Sequence, residues 1–153
     1  MPAAGRSILQ ILVAVLLMSL AACQIVPGGD GASASAASRL AAIRSAHGLG
    51  ALRPDPGLER AARRQAAYMA ASGRMVHDTG YGRDFASRMS NTRTNGAAAE
   101  NIARGAMSLD RLFDMWMNSA GHRTNILDPR FTRFGLASSG EGRDRYWSLV
   151  LSR

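Results

Sequence analysis

The chain has 153 residues, with 19 basic side chains against 11 acidic ones and a formal net charge of +8. This length allows one domain of ordinary size, and the single cysteine excludes an intramolecular disulfide bond. There is no lysine, so arginine carries the positive charge and stays protonated at physiological pH. The arginines are scattered, without a basic block or interleaved aromatic residues, which argues against nucleic-acid binding and for other anionic partners.

The first 22 residues have the pattern of an export signal. Arg6 precedes an apolar run from Ile8 to Leu20, which is shorter than the roughly 20 residues that a membrane-spanning helix needs. The run leads into Leu-Ala-Ala-Cys at Cys23, which resembles the lipobox of bacterial lipoproteins. We therefore predict cleavage before Cys23 and acylation of that residue, which would explain a lone cysteine in an exported protein. The alternative is ordinary cleavage beside an unrelated cysteine.

A lipidated Cys23 would hold the mature protein on the extracytoplasmic side of a bacterial membrane, close to anionic lipid or lipopolysaccharide head groups. Gln24 follows the cysteine and resembles the residue choice of outer-membrane lipoproteins, so we expect that membrane if the organism has two. Residues 23–38 are rich in Pro, Gly, Ser and Ala, which predicts a flexible tether. The folded domain is then expected to begin at Arg39 and to include residues 39–153.

Helices are predicted in the first half of this domain. Leu40 and Ile43 share one face of a helix that is expected to end near Gly48. After a turn at residues 54–56, apolar side chains at helical spacing predict an amphipathic helix that ends at Gly73. Its apolar positions are Leu58, Ala62, Ala66 and Met69.

The middle of the chain is predicted to combine a loop with further helices. A short helix around Phe85 is followed by residues 90–99, which we interpret as a loop. Ser108 is a suitable N-cap for the helix that reaches Trp116. Gly121 is predicted to break this helix, so that His122 would lie where the helix turns into a loop and face a cleft.

Strands are predicted at the carboxyl-terminal end. The apolar residues around Phe134 and the segment Tyr146–Leu151 are rich in strand formers, and residues 138–144 with their glycines predict the connecting hairpin loop. Trp116 and Trp147 are the expected anchors of the core.

The ordered motifs are a histidine after the second helix, Glu-Asn-Ile-Ala, a tryptophan-bearing helix, Ser-Ala-Gly-His-Arg-Thr-Asn-Ile-Leu and a final Tyr-Trp strand. This set resembles the CAP superfamily of cysteine-rich secretory, antigen 5 and pathogenesis-related proteins, and in particular its cysteine-poor bacterial branch. The resemblance covers about Arg39 to Leu151. It implies an α+β fold, a three-layer α-β-α sandwich with a central antiparallel sheet.

The resemblance also implies a cleft. Family members commonly line it with two histidines and two acidic residues, and in several the histidines hold a divalent metal. The matching positions are His77, Glu100 and His122, whereas Ser119 stands where animal and plant members have a second glutamate. Three neighbouring polar residues are expected to line the cleft, namely Asn101, Ser119 and Asn125.

Three functions remain open for these residues. Two imidazoles and a carboxylate suit zinc, and a zinc-bound water would make the protein a metal-dependent hydrolase or peptidase of the envelope. However, serine cannot replace a carboxylate as a general base, which favours non-catalytic binding of a lipid, an envelope component or a protein. The third possibility is that the polar residues only tie loops together. A Ser-His-Asp hydrolase is disfavoured because no Gly-x-Ser-x-Gly motif is present, and His47 matches no motif.

Overall fold

A five-stranded sheet forms the middle layer of the domain, with helices packed on both of its faces. The computed structural model describes residues 30–94 and 96–153, so the predicted signal, Cys23 and the first part of the predicted tether lie outside the described residues. The layering agrees with the three-layer sandwich that the resemblance implied. None of the helices in this described part is long and apolar enough to cross a membrane.

β5 is the central strand and runs antiparallel to β3 on one side and to β4 on the other. Two short strands, β1 and β2, pair with the opposite edge of β4, where β1 is antiparallel and β2 is parallel. The hairpin of β4 and β5 confirms the strands predicted at the carboxyl-terminal end. The strands are β1 (Asp30–Gly31), β2 (Arg53–Pro54), β3 (Ala98–Arg104), β4 (Arg133–Ser139) and β5 (Tyr146–Ser152).

Five α-helices surround the sheet in the described ranges 30–94 and 96–153. The longest, α2, starts because Asp55 accepts hydrogen bonds from the free amides of Gly57 and Leu58 at 2.7 and 2.9 Å, and it ends at Gly73 with a left-handed φ of 65°. The helices are α1 (Ser33–Ser45), α2 (Pro56–Ser72), α3 (Phe85–Met89), α4 (Leu109–Met117) and α5 (Ala120–Ile126).

Alternation along the strands sends neighbouring side chains to opposite faces of the sheet. On β5, Leu149 packs against α1 and α4, whereas Val150 packs against α2. Trp116 on α4 is fully buried, and its indole nitrogen donates to the carbonyl of Ile102 at 3.2 Å. Trp147 is also buried, so both predicted anchors lie in the core.

The predicted tether is wrong in its second half, because α1 begins at Ser33 rather than after Ser38. Ala36 is fully buried, and the Ser33 hydroxyl accepts from the backbone amide of Leu136 on β4 at 2.9 Å. Alanine is the best helix former, so a stretch that looks like a linker by composition becomes a helix once the sheet offers it a surface.

Two further predictions were wrong in the middle of the chain. The break after Trp116 falls at residues 118–119, and Gly121 and His122 lie inside the separate helix α5 rather than in a loop. In addition, the predicted loop over residues 90–99 ends in β3, which starts at Ala98 and includes the Glu-Asn-Ile-Ala segment.

Candidate functional site

Glu100 is the centre of a buried polar cluster on the edge strand β3. Its side chain is 3% exposed, and both of its oxygens accept from Nη2 of Arg88, at 2.8 Å for Oε1 and 2.7 Å for Oε2. The hydroxyl of Ser148 on β5 donates to Oε2 at 3.2 Å. This carboxylate therefore has a charged partner as well as a neutral one, and both offset the cost of burying it.

His77 reaches the same carboxylate from the loop after α2. Its Nδ1 donates to Oε1 of Glu100 at 2.9 Å, while the rest of the imidazole is half exposed. Two side chains hold this loop through its backbone carbonyls. Arg88 donates to the His77 carbonyl at 3.1 Å, and Gln65 donates to the Val76 carbonyl at 2.6 Å. The carboxylate thus orients the imidazole of His77, whose Nε2 takes no part in this contact.

His122 approaches from α5, on the other side of the edge strand. Its carbonyl accepts from Asn101 at 3.0 Å, and its ring centroid lies 6.4 Å from that of Trp116. Burial lowers the pKa of His122, and the charge of nearby His77 lowers it further. Both effects favour the neutral imidazole of His122.

The structure joins His77 to Glu100 by a hydrogen bond and places His122 near His77. Asn101 is fully buried, and its side-chain oxygen accepts from Asn125 at 2.9 Å, so these two amides join β3 to α5. Ser119 lies beside a separate concavity of about 330 Å³ on the outer side of α4. His47 is exposed, as expected of a residue that matches no motif.

Sequence reasoning missed Arg88, Gln65 and Ser148. Arg88 is one of many arginines and has no spacing that distinguishes it. Ser148 did carry a signal: it lies two residues from both Tyr146 and Val150 on β5, so the three side chains lie on the same buried face.

A metal ligand role does not fit Glu100. Both of its oxygens already accept from the Arg88 guanidinium, and a divalent cation would have to lie beside that buried positive charge. Across residues 30–94 and 96–153, no group of three His, Cys, Asp or Glu residues is arranged to hold a metal ion. The donors that fit an ion at this place are the two imidazoles alone, and zinc binding stays a prediction.

Residues 37–151 match the CAP family, described as the cysteine-rich secretory protein family. The chain belongs to this family. Among its relatives, the uncharacterised protein YkwD of Bacillus subtilis is 36% identical over 96 residues, which are 62% of this chain and 37% of YkwD. The chain thus matches little more than a third of the length of that relative.

Solved structures show the same CAP fold. An extracellular protein of Bacillus anthracis that contains an SCP domain has a TM-score of 0.70 at 24% identity, covering 78% of this chain and 39% of that one. An outer surface protein of Borrelia burgdorferi has a TM-score of 0.69 at 19% identity, covering 82% of this chain and 98% of that one.

In this CAP domain the histidine cleft, which the family resemblance predicts between His77 and His122, offers their ring nitrogens and little else for chemistry. Within residues 30–94 and 96–153, no serine or cysteine side chain hydrogen-bonds to the ring of His77 or His122. Ser119 stands where the family resemblance implies a second glutamate. Together with Asn118 it lines a different concavity. The arrangement can accept hydrogen bonds from a ligand, but it lacks a free carboxylate base.

Proposed function

We propose that the protein is an extracytoplasmic lipoprotein whose CAP domain is a non-catalytic binding module for a lipid, another envelope component or a protein. The observation that supports this most strongly is the pairing of Glu100 on both oxygens with Arg88. A carboxylate held in this way is a poor general base and orients His77 instead. The ligand then binds at the exposed imidazole of His77 and the neutral imidazole of His122.

Membrane attachment rests on Cys23. Six residues, 24–29, separate Cys23 from the first described strand, and even a fully extended chain of that length spans only about 20 Å. The domain would therefore remain close to the bilayer. In cell fractionation, Cys23→Ser is expected to release the protein from the membrane fraction. Unchanged membrane association and unchanged mobility on gels would refute the lipoprotein assignment.

Hydrolysis assays separate a binding module from a hydrolase. Fluorogenic peptide, ester and glycan substrates are incubated at pH 7.5 with the wild type and with His77→Ala/His122→Ala. We expect equal background rates for both proteins. Turnover by the wild type that the double variant loses would overturn the proposal and favour the hydrolase.

A calorimetric zinc titration tests the metal prediction separately. His77→Ala and His122→Ala remove the two candidate ligands, and His47→Ala is the matched control because His47 lies away from the cleft and is exposed. Zinc affinity that only the first two substitutions abolish would assign the ion to the cleft. Affinity that survives both would remove zinc from the site.

A further inference from the structure

A second site candidate lies at the start of α2, away from the histidines. A concavity of about 410 Å³ opens between the first turn of this helix, the segment after α3 and the start of β4. Its lining carries three arginines and one aspartate, a formal charge of two positive. The lining residues are Asp55, Pro56, Gly57, Arg60, Asn91, Thr92, Arg93 and Arg133.

Asp55 alone cannot neutralise the three arginines of this concavity, the arginine pocket. Oδ1 of Asp55 caps α2, and Oδ2 accepts from Nη1 of Arg133 at 3.1 Å. Among residues 30–94 and 96–153, no carboxylate lies within ion-pair distance of Arg60 or Arg93. Arg60 and Arg93 therefore line the concavity without a carboxylate partner, beside the positive end of a 17-residue helix.

The backbone that carries Arg93 is held in place. Thr92 is buried, and its carbonyl lies so close to α2 that a Cβ on Gly57 would be 3.2 Å from it. Arg93 itself has a φ of 52°, and within the described ranges no other non-glycine residue has a positive φ. The left-handed conformation is unfavourable for a residue with a Cβ, so the surrounding contacts must maintain it.

We propose that the arginine pocket binds a phosphate group. Guanidinium groups donate paired hydrogen bonds that match phosphate oxygens, and the net charge of the lining matches a phosphate dianion. The volume exceeds that of a bare phosphate, which leaves room for the group to which the phosphate is attached. This site shares no residue with the histidine cleft and does not depend on the function proposed there.

The pocket lies away from the strand end at which the described domain begins. Arg133 begins β4, whereas the first described residue, Asp30, pairs with Ser138 near the other end of that strand. Five residues of strand separate the two positions by about 17 Å. The connection to Cys23 spans up to about 20 Å, which exceeds this separation, so a lipid head group and a soluble phosphorylated component can both reach the pocket.

Calorimetry with inorganic phosphate at low ionic strength tests the phosphate site on the detergent-extracted full-length protein. Arg60→Gln and Arg93→Gly each remove one uncompensated charge, and glycine accepts the left-handed backbone at position 93. Arg74→Gln is the control, because Arg74 is exposed and lies outside the pocket. We expect saturable binding that weakens at least about tenfold in each pocket variant and is unchanged in the control.

Two results would overturn the phosphate site. One is the absence of saturable binding by the wild type, and the other is equal weakening by the control, which would indicate net charge alone. Mixed micelles that contain phosphatidylglycerol or phosphatidylcholine distinguish the sources. Preferential binding to phosphatidylglycerol that both pocket variants lose would assign the site to a lipid head group. Binding of inorganic phosphate without a preference between the two lipids would assign it to a soluble phosphorylated component.

Discussion

At the scale of single residues, Glu100 determines what the histidine cleft can do, because Arg88 uses both of its oxygens. Both side chains are almost completely buried, with 1% and 3% exposure. A pair of this kind adds little net stability compared with well-packed apolar residues, but breaking it is expensive. Its retention in the core is consistent with a role in positioning His77.

Arg88→Met should therefore lower the free energy of unfolding by about 3 to 5 kcal/mol, since it leaves the Glu100 charge buried without a partner. Urea denaturation measures the change. Adding Glu100→Leu to this variant should restore a large part of the loss, because the unpaired charge is then absent. A loss below about 1 kcal/mol in the single variant would mean that the ion pair does not persist in solution.

His122 should make stability depend on pH. Burial lowers its pKa in the folded state, so protonation favours the unfolded chain, in which the imidazole titrates near 6.5. Its stabilising contribution is complete above about pH 6.5 and is lost as the pH falls through the lower folded-state pKa.

The measurement is the free energy of unfolding between about pH 7.5 and 5.0 for the wild type, His122→Gln and the control His47→Gln. The decrease on acidification should be smaller in His122→Gln than in the other two proteins. Parallel curves for all three would show that His122 is not shifted.

The residues of the cluster differ in how far the sequence could predict them. His77 and Glu100 could be placed together only through the family resemblance, because they come from distant segments and have no local motif. Arg88 could not be placed at all, since its position is fixed by the packing of α3 against α2. His122 was identified from the sequence, but the loop predicted around it was wrong, because a glycine in the first turn of a helix is tolerated.

At the scale of elements, α2 was predictable because its end residues and the spacing of its apolar residues give the same boundaries. Its Asp-Pro start, its glycine end and the buried face that includes Leu58 and Met69 all indicate the same helix. β3 was not predictable, because Ala, Glu and Asn are poor strand formers and Ile102 is its one β-branched residue. The strand exists because it pairs with β5 along its whole length.

Two glycines with opposite surroundings test the packing of these elements. A Cβ on Gly135 of β4 would lie 2.1 Å from the backbone nitrogen of Glu59, whereas a Cβ on Gly121 of α5 would meet nothing within 4 Å. Gly135→Ala should therefore destabilise the protein by at least about 1 to 3 kcal/mol, because the backbone of α2 must move. Gly121→Ala should stabilise it by about 0.5 to 1 kcal/mol.

Thermal unfolding of the two variants gives opposite shifts of the midpoint temperature if α2 packs directly on β4. A Gly135→Ala protein as stable as the wild type would show that the helix lies farther from the sheet. The Gly121→Ala protein also tests the corrected helix boundary, since alanine gains helix propensity only if position 121 is helical.

At the scale of the whole molecule, the folded unit begins earlier than composition suggests. The amide of Ala32 donates to the carbonyl of Leu136 at 2.8 Å, and the Ser33 hydroxyl accepts from the amide of the same residue at 2.9 Å. Both backbone groups of Leu136 are thus satisfied by the first residues of the domain. The family resemblance began at Arg39 and could not reveal this, because the contact pairs residues about 100 positions apart.

The corresponding prediction compares two soluble fragments, which begin at Asp30 and at Arg39. The first should fold cooperatively without disulfide bonds, because it keeps every described contact of the core. The second loses buried Ala36 and leaves the amide and the carbonyl of Leu136 without these partners, at a cost of about 1 to 3 kcal/mol for each unsatisfied group. Urea denaturation should therefore give the shorter fragment a free energy of unfolding lower by about 2 to 5 kcal/mol. Equal stabilities would mean that residues 30–38 belong to the tether after all, and the domain could then move farther from the bilayer than the short connection to Cys23 allows.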